Sequence, residues 1–242
     1  MTLDGDAVLI TGASRGLGRS MALRFAEEGA RVSLVSRSED RLEEIAGEAG
    51  GETLVAPADV RSSEDVERAV ARTVEAFGRI DTLINNAGVS QLGLTDERHP
   101  VVEVSEEMWD LVLETNLKGV FLFSKESIPH MGGGERANVI NVSSGLGRHA
   151  TAGAGPYVAS KWGLEGLTRT LALEHEGEIN VNALDPGGRV NTDIWAHLSE
   201  AEREQILQPD VMDDAAVLLA AQEPGGVTGE SMDAEGWESR LG

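Results

Sequence analysis

The sequence predicts a single α/β domain built on a doubly wound parallel sheet of about seven strands flanked by helices. Three observations predict it. Short β-rich runs alternate with amphipathic stretches along the chain, the motif-bearing segments fall just after the strands, and 242 residues suit one large domain better than two small ones. Such alternation means parallel strands joined by right-handed crossovers, with helices on both faces. No linker, repeat or low-complexity block divides the chain, so residues 1–242 read as one domain with halves meeting near residue 135.

The elements follow in order. Ala7-Val8-Leu9-Ile10 reads as a buried strand, followed by a glycine-rich turn and a helix to about Glu28 that Gly29 closes. Val32 to Val35 is the second strand, and Arg41 to Ala49 the second helix. Thr53 to Ala56 is the third strand, and Ser63 opens a helix to about Phe77. Asp81 to Ile84 is the fourth strand, and a long helix spans roughly Glu106 to Phe123. Asn138 to Val142 forms the fifth strand, and a helix containing Tyr157 runs to about Glu174. Asn180 to Leu184 is the sixth strand, and a short one near Ser231-Met232-Asp233 finishes the sheet.

Composition narrows the function classes. The chain has no cysteine, which excludes disulfides, thiolate metal sites and cysteine nucleophiles. No apolar run approaches the roughly 18 residues of a bilayer span. The N-terminus lacks a secretory pattern, so a cytoplasmic location is expected. Acidic residues number 42 against 20 basic ones, for a net charge of −22. A chain so acidic repels nucleic acid and anionic membranes, whose phosphates need a basic footprint. Only Lys118, Lys125 and Lys161 are lysines, and the carboxylates are spread throughout. Self-repulsion on this scale calls for screening by salt, and the composition predicts a halophilic, salt-accumulating source. The histidines show no metal-ligand spacing, and no metal is assigned.

The segment Thr11-Gly12-Ala13-Ser14-Arg15-Gly16-Leu17-Gly18 lies between the first strand and the first helix. Glycines there allow a tight turn and close approach of a pyrophosphate, which a helix N-terminus stabilises. At the end of the second strand, where a carboxylate would bind adenosine ribose hydroxyls and favour NAD, stand Ser36 and Arg37. Arg37 and Arg15 are placed to meet a 2′-phosphate, so NADP(H) is preferred with NAD(H) still open. Tyr157 is the only tyrosine, and Lys161 follows it by four residues on a helical stretch, so the two share a face. Ser144 precedes Tyr157 by thirteen residues, at the end of the fifth strand, with Ser143 beside it.

The G-x-x-x-G-x-G spacing and the Ser…Tyr-x-x-x-Lys set resemble the classical short-chain dehydrogenase/reductase family, on a Rossmann fold. The likeness extends from the first strand to about Asp233. Asn85-Asn86-Ala87-Gly88 matches the family's N-N-A-G signature, Asp59-Val60 resembles its adenine-contacting pair, and Asn116 matches its fourth catalytic position. The resemblance implies Asn116, Ser144, Tyr157 and Lys161 as the catalytic set. Tyr157 would be the general acid/base, its pKa lowered by the Lys161 ammonium. Lys161 would also bind the nicotinamide ribose, Ser144 would hold the carbonyl oxygen, and Asn116 would keep a water in a proton relay. It further implies that Gly12, Ser14, Arg15, Gly16, Leu17, Gly18, Arg37, Asp59, Val60, Asn86, Ala87 and Gly88 line the cofactor. Tyr157, Lys161, Pro186 and Gly187 complete that lining at the nicotinamide end.

Past the sixth strand, Pro186-Gly187-Gly188-Arg189-Val190-Asn191-Thr192 carries one more residue before its threonine than the family pattern. Val190 and Thr192 are the candidates for holding the carboxamide. Residues 145–156 and 191–209, the latter with Trp195, His197 and Leu198, are expected to shape the substrate pocket, the second as a lid. Arg148 and His149 read as solvated loop residues, or as recognition groups for an acidic substrate.

The expected activity is hydride transfer between nicotinamide and a carbonyl or alcohol carbon, on a 3-oxoacyl thioester, a sugar or a simple ketone. An epimerase or dehydratase relative and a non-catalytic NADP-binding regulator are the alternatives. The family resemblance also implies a homo-oligomer, a tetramer or a dimer.

Overall fold

The computed structural model describes residues 3–132, 136–195 and 198–242. Seven parallel strands form one sheet in the order β3-β2-β1-β4-β5-β6-β7. They are β1 (Ala7–Thr11), β2 (Arg31–Val35), β3 (Thr53–Val55), β4 (Thr82–Asn85), β5 (Asn138–Val142), β6 (Asn180–Asp185) and β7 (Ser231–Asp233). Strand order reverses between β1 and β4, where Ile10 lies opposite Ile84. A crevice at the carboxyl ends of the strands is the consequence of such a switch.

The strands are apolar on both faces because helices cover both. Along each strand successive side chains enter different cores. Val8, Ile10, Leu34, Ile84, Ile140 and Leu184 pack on one face with Met21, Phe25, Leu219 and Trp237. Leu9, Val35, Leu83, Val139 and Val181 pack on the other with Val66, Val70, Leu122 and Phe123. The first face is covered by α1 (Gly16–Glu27), α2 (Glu39–Ala49), α9 (Asp213–Ala220) and α10 (Ala234–Leu241). The second is covered by α3 (Ser63–Phe77), α6 (Gly119–Ser127) and α7 (Gly155–Glu174). Two short helices, α4 (Gln91–Thr95) and α8 (Glu200–Arg203), lie in the connections after β4 and β6. No described helix is long and apolar enough to cross a membrane.

The long helix expected over Glu106 to Phe123 differs in detail. It begins as α5 (Glu106–Leu113), passes through a π-helical turn at Glu114–Lys118, and continues as α6. A turn of this type inserts a residue and often marks a functional position. Here it contains Asn116, which is completely buried. Helices α4, α8, α9 and α10 are absent from the sequence reading. They are short, and α9 and α10 are set by packing against the sheet rather than by a strong period of their own.

Candidate active site

The glycine loop joins β1 to α1. The backbone is left-handed at Gly12 (φ 68°) and Gly16 (φ 54°), a region that only glycine occupies without strain. Gly18 serves a different need. A β-carbon there would lie 2.3 Å from the Gly12 carbonyl oxygen and 2.4 Å from the Asn86 Nδ2. The loop is held by the start of the next connection. Thr11 Oγ1 accepts hydrogen bonds from the Asn86 and Ala87 amides at 3.0 and 3.1 Å, and Asn86 Nδ2 donates to the Thr11 carbonyl at 2.9 Å. The Asn86 amide thus shapes the crevice by fixing the glycine loop.

No side chain caps α1, whereas Ser62, Ser90 and Ser105 cap α3, α4 and α5. Ser14, Arg15, Gly16 and Leu17 surround that uncapped end, which presents amides and a positive dipole to the crevice. An anion such as a diphosphate suits it.

Around the outer end of the crevice, Arg37 is exposed and Ser36 is buried behind it. Asp59 is held by Arg61, whose Nη2 donates to Oδ2 at 2.6 Å and whose Nε donates to Oδ1 at 3.0 Å. That partner, with Arg37 nearby, keeps its carboxyl below the usual range. Val60 is buried, packed 3.0 Å from where a β-carbon on Gly119 would stand. Arg15 is ion-paired to Asp193 in the connection after β6, and Thr192 lies 3.0 Å from the position of a β-carbon on Gly16. The 191–195 segment therefore crosses the front of the glycine loop.

The chain turns sharply just after β6. Gly187 is left-handed (φ 81°), with its amide donating to Asp185 Oδ1 at 2.9 Å. Val190 then pairs with Leu207 and is buried, while Thr192 continues to the glycine loop. Arg189 stacks 4.8 Å from the Trp195 ring. His197 lies outside the described residues.

At the inner end of the crevice the four expected catalytic residues converge from three elements. Ser144 leaves β5 and opens a 3₁₀ turn, Gly145–Gly147, its Oγ accepting from the Leu146 amide at 3.2 Å. Its hydroxyl lies near the Tyr157 phenol and favours the ionised form of that phenol. Lys161, one turn on from Tyr157, is buried, donates from Nζ to the Val142 carbonyl at 2.7 Å and sits 5.7 Å from the Tyr157 ring centroid. Asn116 is tied to the backbone after the N-N-A-G segment. Its Oδ1 accepts from the Val89 amide and its Nδ2 donates to the Val89 carbonyl, both at 2.8 Å. Nδ2 also meets Ser160 Oγ at 3.1 Å, and Ser160 donates to the Tyr157 carbonyl at 2.7 Å. Asn116 thus joins the π-helical turn, Val89 next to Gly88 and the Tyr157 turn of α7 into one unit.

Two expectations need correction. The Tyr157 phenol is not lowered by Lys161; burial pushes it up to about 12, the Ser144 hydroxyl pulling against this and Asp185 adding to it. The Lys161 ammonium is itself pushed down to about 8 by burial, against the pull of Asp185 and Glu165. Desolvation exceeds charge pairing here because Lys161 is buried and Tyr157 is half-buried among protein atoms. Arg148, in turn, is neither a solvated loop residue nor aimed at a ligand. It folds inward, donating to Asp185 Oδ2 at 2.7 Å and Ser231 Oγ at 2.6 Å. Its partners were missed, although Glu165 stands one helical turn beyond Lys161 and an acid ends the buried strand β6.

The profile of the short chain dehydrogenase family matches residues 6–203. The 3-oxoacyl-[acyl-carrier-protein] reductase of Thermotoga maritima is 35% identical, over 98% of each chain. The (2S)-[(R)-hydroxy(phenyl)methyl]succinyl-CoA dehydrogenase subunit BbsD of Thauera aromatica is 34% identical, over 95% of each. Among solved structures, 3-ketoacyl-(acyl-carrier-protein) reductase from Brucella melitensis, complexed with NADH, superposes with a TM-score of 0.86 at 32% identity, covering 96% of this chain and 97% of that one. A short chain dehydrogenase from Shigella flexneri, complexed with NADP, gives the same TM-score at 26% identity, covering 96% and 98%. By profile, sequence and fold, the chain belongs to the short-chain dehydrogenase family of oxidoreductases.

Proposed function

We propose that the chain is an NADP(H)-preferring oxidoreductase that moves a hydride between nicotinamide and a carbonyl or secondary-alcohol carbon, with Tyr157 as general acid and base. The observation that carries this reading is the Ser144–Tyr157 hydroxyl pair beside the buried Lys161, at the inner end of the crevice. The residues present fit the cofactor. The glycine loop and the uncapped end of α1 suit its diphosphate, and the exposed Arg37 suits a 2′-phosphate. Arg15 would exchange Asp193 for that phosphate. The cofactor-bound relatives in the fold comparison, one with NADH and one with NADP, support a nicotinamide cofactor of either kind.

Bound reduced nicotinamide supplies the hydride. Ser144 then holds the substrate oxygen, and Tyr157 donates its proton as charge develops there. Burial, which pushes the phenol up to about 12, favours its protonated form. Lys161 keeps positive charge behind the phenol. The Asn116 amide is spent on Val89 and Ser160, so a relay water would be held by the main chain of the π-helical turn. The two relatives named for thioester substrates favour a 3-oxoacyl thioester over a sugar or simple ketone.

We further propose a homo-oligomer assembled through the α5–α6 and α7 surfaces. Phe121, Trp109, Trp162 and Leu173 are exposed there, the last 77% accessible. A halophilic source accounts for the net charge of −22.

The test is consumption of NADPH and NADH against acetoacetyl-CoA, simple ketones and sugars, in multimolar KCl, with Tyr157→Phe as control. NADPH turnover lost by roughly a thousandfold in the variant, with cofactor binding retained, is expected. Tight NADPH binding without turnover on any class would favour a regulator. Full folding without added salt would remove the halophilic reading.

A further inference from the structure

Behind the Ser144–Tyr157 pair lies a cluster of charges. Asp185 ends β6 with its side chain only 4% exposed. Its carboxylate is fixed from two sides, by the Gly187 amide at 2.9 Å on Oδ1 and by the Arg148 guanidinium at 2.7 Å on Oδ2. It also lies beneath the turn that follows Ser144, since a β-carbon on Gly145 would be 3.7 Å from its Oδ2. Arg148 ends that turn and reaches a second buried acid, Glu165, with Nη1 at 3.7 Å from Oε1. Glu165 Oε1 accepts from Ser143 Oγ at 2.5 Å and from Ser231 Oγ at 2.8 Å. Gly147 packs so closely here that a β-carbon would meet Ser143 Oγ at 2.9 Å. The turn between Ser144 and Arg148 is thus clamped at its end by a guanidinium and underlaid by two carboxylates.

Buried charges of this kind are costly to assemble, and breaking one from its partners is costlier still. Among the described residues, the charged and titratable groups around Asp185 are Arg148 from the turn, Tyr157 and Lys161 from α7, Glu165 across Arg148, and Asp233 from its register position on β7. Only Arg148 and Lys161 are positive among them.

We propose that Asp185 is a positioning residue for proton transfer, anchoring the Ser144 turn through Arg148 and setting a fixed negative charge behind Tyr157 and Lys161. This rests on the reading of Tyr157 and Lys161 as the proton-transfer pair. The charge acts on both in one sense, favouring the neutral phenol and the protonated amine, so the resting site is held as a proton donor. Glu165 acts on Lys161 alone of the two.

Tyr157 is the only tyrosine, so tyrosinate absorbance reads its ionisation without a substrate. The titration is run on the full chain in KCl, with circular dichroism followed alongside. Asp185→Asn keeps the shape and removes the charge. Its tyrosinate midpoint is expected to fall by roughly one pH unit relative to the wild type. Asp185→Glu restores part of that shift, and Glu165→Gln leaves the midpoint in place. Asp185→Ser makes the same test should the asparagine variant not fold. A midpoint unchanged in the folded charge-removed variant overturns the proposal. So does an equal fall in Glu165→Gln, which would show a general effect of net charge. Retained turnover in Tyr157→Phe would overturn the functional reading instead, an outcome separate from the titration.

Discussion

The glycine loop and the Ser144–Tyr157 centre occupy the same edge of one sheet but are held by opposite means. The loop is fixed by backbone and neutral groups: Thr11, Asn86 and three glycines, two of them left-handed. The Ser144–Tyr157 centre is fixed by buried charge: Lys161, Glu165 and Asp185, with Arg148 closing the cluster. Where an anion is received, amides at a helix end provide the field, and the Asp193 carboxylate beside the loop is paired to Arg15. A region that moves a proton needs its acid and base tuned, which only nearby charge and desolvation can do. The comparison teaches that binding and chemistry on this sheet make different demands on residue type.

The largest effect that would break this contrast is on the neutral side. Gly18→Ala places a methyl group 2.3 Å from a carbonyl oxygen. It is expected to cost about 2 kcal/mol of stability in a denaturant titration and to raise the NADPH Kd roughly a hundredfold by fluorescence. Thr11→Val removes the acceptor of two amides while keeping the shape. A loss of about 1–3 kcal/mol is expected from the stranded donors, again by denaturant. If both variants behave like the wild type, the loop does not depend on these neutral contacts.

Arg37→Ala sharpens the comparison at the rim, where the proposed 2′-phosphate contact would use charge. It is expected to raise the KM for NADPH about tenfold and leave that for NADH unchanged in steady-state kinetics, because only the 2′-phosphate calls on the guanidinium. Equal effects on both cofactors would remove Arg37 from phosphate recognition.

The smallest effect belongs to a control outside both regions. Asp213 is buried at the start of α9 and accepts from Ser20 Oγ at 2.7 Å. Burial pushes its carboxyl up to about 7 from 3.8, the Ser20 bond opposing and Asp210 and Asp214 reinforcing the rise. A raised carboxyl favours folding while protonated, so its contribution is full below 3.8 and is lost as pH climbs toward about 7. Asp213→Asn should therefore match the wild-type Tm in acid and exceed it by a few degrees above neutrality. A thermal scan at two pH values checks the sign.

The same contrast explains what was legible in the sequence. Strands β1 to β6 stood out because each is a short apolar run closed by a turn, and the alternation of cores follows from the period-2 geometry of a strand. The glycine loop was readable because its residues are contiguous. Tyr157 and Lys161 were readable because one helix turn separates them. The charge cluster was not, because Arg148, Glu165 and Asp185 come from a turn, a helix and a strand, and only the fold brings them together. The direction of the Tyr157 shift is hidden for the same reason: spacing reveals a neighbouring charge but not how strongly each group is desolvated. The short helices α4 and α8 lie in connections whose local pattern is weak, and the π-helical turn that contains Asn116 interrupts what reads as one continuous helix.

That turn gives the long helix two phases. Each residue advances an α-helix by about 100°, so one inserted residue rotates everything after it by about that angle. Before the turn, α5 leans on α7; beyond it, α6 leans on α3, with Leu122 and Phe123 directed into the sheet core. A single rod thus behaves as two gears on one shaft, meshing with different neighbours, and Asn116 sits at the coupling. Deleting one residue between 114 and 118 would straighten the shaft while turning Leu122 and Phe123 out of mesh.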